Sequence, residues 1–293
     1  MSIFKSFLEY IKATKYNIGF VETPLKDIID GCPIKVNWLK HSYTDRWFAD
    51  PFILDVTDYN MIVLVEEWYD PIQRGRITKL RIDKRTYSLI DCKPILELDT
   101  HLSFPAIQRQ GGKIYITPES SATGRLLRYE FNPITDEMIP DSVVCEDRLT
   151  DAVFFCLQGR DYMFSTRLPD ANGKELGVYT KQTDGKYVLS TVCHFPENTS
   201  RMAGNFFDCN GIWYRPAQVC IKSYGDAVSL QKVEYDQGRW SFSEVRRIYS
   251  PHPNFELGFH TFNVYGDTIV VDALGFRRPV LSHFLQRLKH CLK

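Results

Sequence analysis

Three carboxylates stand out by their surroundings. Asp50 is a lone charge between Trp47-Phe48-Ala49 and Pro51-Phe52, Asp151 opens the run Asp151-Ala152-Val153, and Glu119 follows Ile116-Thr117-Pro118. Two carboxyl groups flanking one bond are a common apparatus for acid–base chemistry on sugars. Arg201 and Arg215 carry the planar guanidinium that grips a phosphate or carboxylate through parallel hydrogen bonds. Glu67, His101, Arg167, Gln218, Tyr224 and His260 are further groups suited to holding a ligand. A structural reading stands beside this one: carboxylates and arginines also pair with each other to lock neighbouring elements. Tyr224, in Tyr224-Gly225-Asp226, is likewise either a turn residue or a sugar platform.

These residues are far apart in the chain, so the fold must gather them. Five hairpin-like segments recur, over 50–68, 103–120, 151–168, 203–218 and 260–275. Each holds two apolar runs around a turn: Asp58-Tyr59-Asn60, Gly111-Gly112, Gly159-Arg160-Asp161, Cys209-Asn210-Gly211 and Gly266-Asp267. Further strand-like runs follow most of them, as over 77–82, 87–98, 126–131, 228–235 and 241–249. Four strands per unit, five times, at a period of about 50, predicts an all-β fold, a five-bladed β-propeller. The fifth hairpin lacks an outer pair, and the run over 34–38 supplies a missing strand that closes the ring between the chain ends.

In a propeller the first strand of each blade begins, and the second ends, on the same face. Strand starts therefore bring Asp50, His101, Asp151, Arg201 and His260 to one mouth. Strand ends bring Glu66 or Glu67, of which Glu67 is taken as the ligand-binding one, with Glu119, Arg167, Arg215, Gln218 and Asp272. The expected organisation is a helical flank over 1–33, the propeller over 34–278 and a basic amphipathic helix over 279–293. Helical spacing supports the flanks: Ile3, Phe4, Phe7, Leu8 and Ile11 at one end, Leu281, Phe284, Leu285 and Leu288 at the other. Such helices either pack on the propeller or make a peripheral contact with a membrane through their lysines and arginines.

Composition narrows the partners. The 293 residues carry 36 Lys+Arg against 36 Asp+Glu, so the basic footprint of a nucleic-acid binder is missing. Eight cysteines include no Cys-x-x-Cys pair, and no secretory signal or apolar run of membrane-spanning length occurs, so a cytoplasmic protein with reduced thiols is expected. Phosphate-binding Gly-x-x-x-x-Gly-Lys, His-Glu-x-x-His and Gly-x-Ser-x-Gly are absent, and no two aspartates lie two apart. Neither metal nor cofactor is expected.

The motifs also carry a family resemblance. Trp47-Phe48-Ala49-Asp50-Pro51-Phe52, His101-Leu102-Ser103-Phe104-Pro105 and Pro118-Glu119-Ser120 resemble the N-terminal domain of plant glucosamine inositolphosphorylceramide transferases and its bacterial stand-alone relatives. Tyr214-Arg215-Pro216-Ala217-Gln218 and Ser223-Tyr224-Gly225 extend the likeness, which runs from about Trp38 to Arg278. That domain is similar to the five-bladed furanosidase propellers of arabinanases and invertases, and the bacterial relatives tend to accompany surface-polysaccharide biosynthesis. The resemblance implies that Asp50 is the base or nucleophile and Asp151 the residue that tunes it. The hydrolases then have a catalytic glutamic acid near the next blade's start, where this chain reads Ser200-Arg201-Met202-Ala203-Gly204.

An arginine in that place suits a phosphate leaving group, which wants positive charge rather than a proton. The leading expectation is therefore a cytoplasmic glycosyltransferase that takes a phosphate-activated sugar donor and a glycan or glycolipid acceptor. In it Asp50 is the base, Arg201 and Arg215 bind donor phosphates, and Asp151 and Glu119 hold sugar hydroxyls. A glycoside hydrolase using Asp50 with Glu119 as acid, and a non-catalytic glycan-binding propeller, are the alternatives.

Overall fold

The computed structural model describes residues 13–282. Among these residues twenty strands form five four-stranded antiparallel sheets arranged as the blades of a propeller. Blade I holds β3 (Arg46–Val56), β4 (Asn60–Tyr69), β5 (Arg74–Asp83) and β6 (Leu89–Leu96). Blade II holds β7 (Ser103–Gln110), β8 (Lys113–Glu119), β9 (Leu126–Asn132) and β10 (Glu137–Cys145). Blade III follows with β11 (Leu149–Leu157), β12 (Arg160–Arg167), β13 (Glu175–Lys181) and β14 (Tyr187–His194). Blade IV comprises β15 (Phe207–Cys209), β16 (Ile212–Val219), β17 (Ala227–Asp236) and β18 (Arg239–Ile248). Two of the turns read from sequence, Gly111-Gly112 and Asn210-Gly211, have positive φ at both residues, as a two-residue hairpin turn of type I′ requires.

Blade V is built from both ends of the chain. Its order is β19 (Phe262–Tyr265), β20 (Thr268–Phe276), β1 (Thr14–Val21) and β2 (Val36–Trp38). β1 pairs with β20 from Thr14↔Phe276 to Val21↔Ile269, and β2 then pairs with β1. The expected strand near 34–38 is present, but the ring begins at residue 14, so a wholly helical flank over 1–33 is corrected. Helical spacing among the first residues hid the strand beyond them, whose Ile18 and Phe20 are buried with Phe48 and Val63 of blade I. A five-residue helix, α1 (Leu25–Ile29), links β1 to β2 and buries Ile28. The helical patterns expected over 3–11 and beyond Ser282 lie outside the described residues. No helix among the described residues is long and apolar enough to cross a membrane.

The core lies between blades rather than in one centre. Phe52 of blade I meets Phe104 of blade II edge to face at 4.9 Å, and Phe155 and Phe164 of blade III meet Phe206 at 4.4 and 4.8 Å. Burying each such ring stabilises the fold by about 1.5–3 kcal/mol, so the blades are held by their faces and the strand ends are left for chemistry.

Candidate functional site

The first strands of blades I to III share an irregularity where they reach the mouth. Their registers break between Ala49 and Phe52, Ser103 and Ala106, and Thr150 and Val153. At each break one non-glycine residue is left-handed: Asp50 at φ 49°, Phe104 at 42° and Asp151 at 49°. These are bulges, and Pro51 and Pro105 fit them because proline has no ladder donor to lose. The turned backbone sends each bulge amide to the carboxylate of the preceding blade. Asp50 N–H donates to Asp272 Oδ2 (2.9 Å), Phe104 N–H to Asp50 Oδ2 (3.1 Å), and Asp151 N–H to Glu119 Oε2 (3.3 Å). Left-handed non-glycine residues cost of order 1–3 kcal/mol and persist where surrounding structure over-determines them, commonly at functional sites.

On one side of the mouth, Asp50 is 4% exposed and also accepts from Thr261 Oγ1 at 3.0 Å. His260 lies beside it, Nε2 to Oδ1 at 3.6 Å, and its Nδ1 bonds Asp272 Oδ1 at 2.7 Å. Burial opposes charge on His260, but Asp272 and Asp50 outweigh it and push its pKa up to about 9. Burial raises Asp50 to about 6, with His260 pulling it back down and Asp151 and Asp272 adding to the rise. His260 also stacks on Tyr16 at 4.7 Å and meets Tyr224 edge-on at 5.4 Å.

On the other side Arg201 joins two carboxyl groups. Its Nε donates to Asp151 Oδ2 at 2.6 Å, its Nη2 to Asp151 Oδ1 at 3.2 Å and Glu119 Oε2 at 3.3 Å, and its Nη1 to Asn172 at 2.9 Å. Gln218 Nε2 also donates to Asp151 Oδ2, at 2.7 Å. Burial first, then the charge of Asp151, raises Glu119 to about 8 against the opposing pull of Arg201. The Arg201 guanidinium lies 5.0 Å over the ring of Tyr224, a cation–π contact.

Glu66 completes the cluster. It is 6% exposed, and burial with the charges of Asp50, Glu119, Asp272 and Asp151 holds its carboxyl well above the ordinary range. His101 Nε2 faces it at 3.5 Å, while His101 Nδ1 accepts the Gly75 N–H at 2.9 Å. Next to this pair runs an aromatic wall: Trp68 is 6.1 Å from His101 and stacks on Trp47 at 5.6 Å, and Trp47 meets Tyr16 at 5.3 Å.

Three expected site residues are elsewhere. Glu67 points away from its neighbour Glu66, because successive strand side chains alternate, and is wholly buried between Arg46 (2.8 Å), Arg76 (2.8 Å) and Thr78 (2.6 Å). Arg167 is exposed and lines a small cavity with Pro169, Asp170 and Tyr179. Arg215 is fully buried between Phe195 and Phe242 and donates to Gln231 Oε1, Thr199 O and Ser200 O. It supports the segment before Arg201, so the expected two-arginine phosphate clamp is not formed. Asp50, Glu119, Asp151, Arg201, Gln218, Tyr224, His260 and His101 do converge. Sequence reasoning passed over Tyr16, Trp47 and Trp68, although the aromatics flanking Asp50 were a visible signal.

Ligand atoms of Asp50, His260 and Asp272 lie within 4.8 Å of one another. The His260 ring is already bonded to Asp272 and retains its proton to about pH 9, so a metal ion would have to displace that proton. The donor set fits a hydrogen-bonded ion pair better than a metal cradle.

Comparison with known proteins agrees with this architecture. The family described as glucosamine inositolphosphorylceramide transferase 1, N-terminal, matches residues 31–252. The glucosamine inositolphosphorylceramide transferase 1 of Oryza sativa subsp. japonica is 22% identical over 201 residues, 66% of this chain and 27% of that protein. Its Oryza sativa subsp. indica counterpart is 23% identical over the same shares. This chain thus spans 27% of the length of the curated relatives it matches. Among solved structures, the GH43_1 enzyme from Xanthomonas citri superposes with a TM-score of 0.55 at 10% identity, covering 80% of this chain and 88% of that one. The calcium-free GH43 beta-xylosidase/alpha-arabinofuranosidase from a compost metagenome, solved with xylotriose, gives 0.53 at 12% identity, covering 81% and 93%. At these identities the likeness is one of fold.

Proposed function

The chain belongs to the glucosamine inositolphosphorylceramide transferase 1 N-terminal family, and on that premise we propose that its mouth cleaves a glycosidic bond, with Asp50 as base and Glu119 as acid. The observation that carries this reading is the opposite surroundings of two buried carboxyl groups of one cluster. Asp50 lies 3.6 Å from the His260 imidazole, which limits the rise of its pKa to about 6. Glu119 lies against Asp151, whose charge adds to burial and raises it to about 8. Between those values Asp50 is ionised and Glu119 protonated, which is the assignment acid–base catalysis on a sugar needs. Asp50 takes a proton from the attacking water, the water oxygen bonds to the anomeric carbon, and the carbon–oxygen bond to the leaving group breaks. Glu119 delivers its proton to that leaving oxygen. Asp151 is a positioning residue here: its charge keeps Glu119 protonated, and Arg201 keeps Asp151 in place.

The reading with a phosphate-activated donor has lost its clamp. Arg215 is buried under the site, and Arg201 spends its donors on Asp151, Glu119 and Asn172. The word transferase in the relatives' name describes proteins of which this chain spans 27%, so it does not by itself assign transfer to this portion. A non-catalytic glycan-binding role is the second reading, since binding alone needs no pairing of an ionised with a protonated carboxyl group. A cytoplasmic location is proposed as well, supported by free thiols at all seven described cysteines.

The test is turnover of a panel of aryl glycosides, pyranosides and furanosides, with and without an oligosaccharide acceptor. Asp50→Asn should lower kcat by about 100- to 10,000-fold while sugar binding persists. Products tell water from a glycan hydroxyl as the acceptor. Binding without turnover across the panel would overturn the catalytic reading in favour of a binding module.

A further inference from the structure

The described mouth holds five carboxyl groups, Asp50, Glu66, Glu119, Asp151 and Asp272, against two cationic side chains, Arg201 and His260. Both cations are committed to those carboxylates. Every nitrogen of the Arg201 guanidinium donates to Asp151, Glu119 or Asn172, and His260 is held between Asp272 and Asp50. Among the described residues of this cluster, no cationic side chain remains for an anionic ligand.

Acceptors, in contrast, are left over. Glu66 is 6% exposed, and apart from His101 Nε2 at 3.5 Å no described residue donates to it. Gln218 gives both its donor bonds to Asp151 and Met202, and its wholly buried Oε1 accepts nothing. Leaving such a group unpaired is costly, so these positions call for hydrogen-bond donors. The Glu66–His101 pair is held to its geometry by Gly75: a Cβ there would meet Glu66 Oε1 and His101 Cε1 at 2.7 Å and Leu102 O at 2.5 Å. Since His101 Nδ1 accepts the Gly75 N–H, its neutral ring carries the remaining proton on Nε2, facing Glu66. Burial lowers the His101 pKa and favours that neutral form. Trp68, Trp47 and Tyr16 then offer faces for the apolar side of a sugar ring.

We infer that the mouth admits glycosyl units that carry no negative charge, because its two cations are already paired with carboxylates, and that Glu66 holds the bound ring through a hydrogen bond rather than through charge. Uronic acids and phosphorylated sugars are excluded, while neutral and amino sugars enter. The inference rests on the mouth being the sugar site proposed above, but its test needs no catalysis.

Free sugars are not cleaved, so their binding can be read without turnover. Glucose, glucosamine, glucuronate and glucose 6-phosphate, with the matching galactose series, are titrated into the full chain at pH 7 and followed by NMR or calorimetry. In at least one series the neutral and amino sugars should bind 10-fold or more tightly than the anionic ones, a margin that shrinks at high salt because the repulsion is screened. Asp151→Asn, which leaves Arg201 without its charged partner, should bring the two groups to within about threefold. Glu66→Gln, which keeps an uncharged hydrogen-bonding group, should leave the margin in place. Equal or tighter binding of an anionic sugar by the unmodified protein overturns the inference, whether or not the variant folds. So does a folded Asp151→Asn that keeps the full margin, or a failure of every sugar to bind. If no glycoside is ever cleaved yet the binding order holds, the catalytic reading falls and this one stands.

Discussion

At the scale of single residues, the mouth is a case of like charges dividing protons. Asp50 sits beside a protonated imidazole and is raised only to about 6, whereas Glu119 faces the Asp151 carboxylate and reaches about 8. Base ionised and acid protonated coexist between those values, so kcat/KM should follow a bell with limbs near pH 6 and pH 8. Asp151→Asn removes the charge that raises Glu119, so the alkaline limb should move down. Arg201→Met removes the charge that lowers Glu119, so the same limb should move up. A pH–rate profile that is flat from 5 to 9, or limbs that move the other way, would contradict these roles. Asp50, Glu119 and Asp151 were legible in the sequence because each interrupts, ends or opens an apolar run. The roles of the arginines were not, since Arg201 and Arg215 look alike in sequence and differ only in what surrounds them.

At the scale of elements, the bulges decide where the chemistry points. Pro51 and Pro105 inside apolar runs were readable signs of a broken ladder, but that the break would aim Asp50 and the Phe104 amide at each other was not. Alternation along β4 gives Glu66 and Glu67 opposite faces, yet only register says which face is the mouth: Glu66 pairs across to Ala49 and Glu67 to Phe48. A tight local constraint at the site is Gly75, opposite Trp68, whose backbone lies against Leu102 O, Glu66 and His101. Gly75→Ala should cost about 1–3 kcal/mol of stability by overpacking. It should also weaken sugar binding, because the Glu66–His101 pair has to move. Urea denaturation alongside sugar titration checks both, and an unchanged protein would mean that the pair is looser than the geometry indicates.

At the scale of the whole molecule, the proton inventory of the mouth should be visible in stability. Above about pH 6.5 the folded protein retains protons on Glu119 up to about 8 and on His260 up to about 9, where an unfolded chain has released both. The folded state therefore binds more protons in that window, and stability should fall as pH rises from about 6.5 to 9. Below it, His41, which burial holds near 4, and His101, also lowered, act in the opposite sense and blunt the slope. Thermal midpoints across pH 6.5 to 9 measure the effect, and Glu119→Gln should flatten it; a midpoint that climbs through this range would refute the assignment. By itself the sequence determined five repeats, four strands to a repeat, and the strand ends at which charge interrupts apolar runs, because these are local patterns of alternation and turn chemistry. Tertiary structure decided that residues 14–21 close the ring, since a strand's partner 255 or so residues away leaves no local trace. It also decided that Arg215 is scaffold and Glu66 is site, since burial and direction follow from which blade faces which, and that is fixed only when the ring closes.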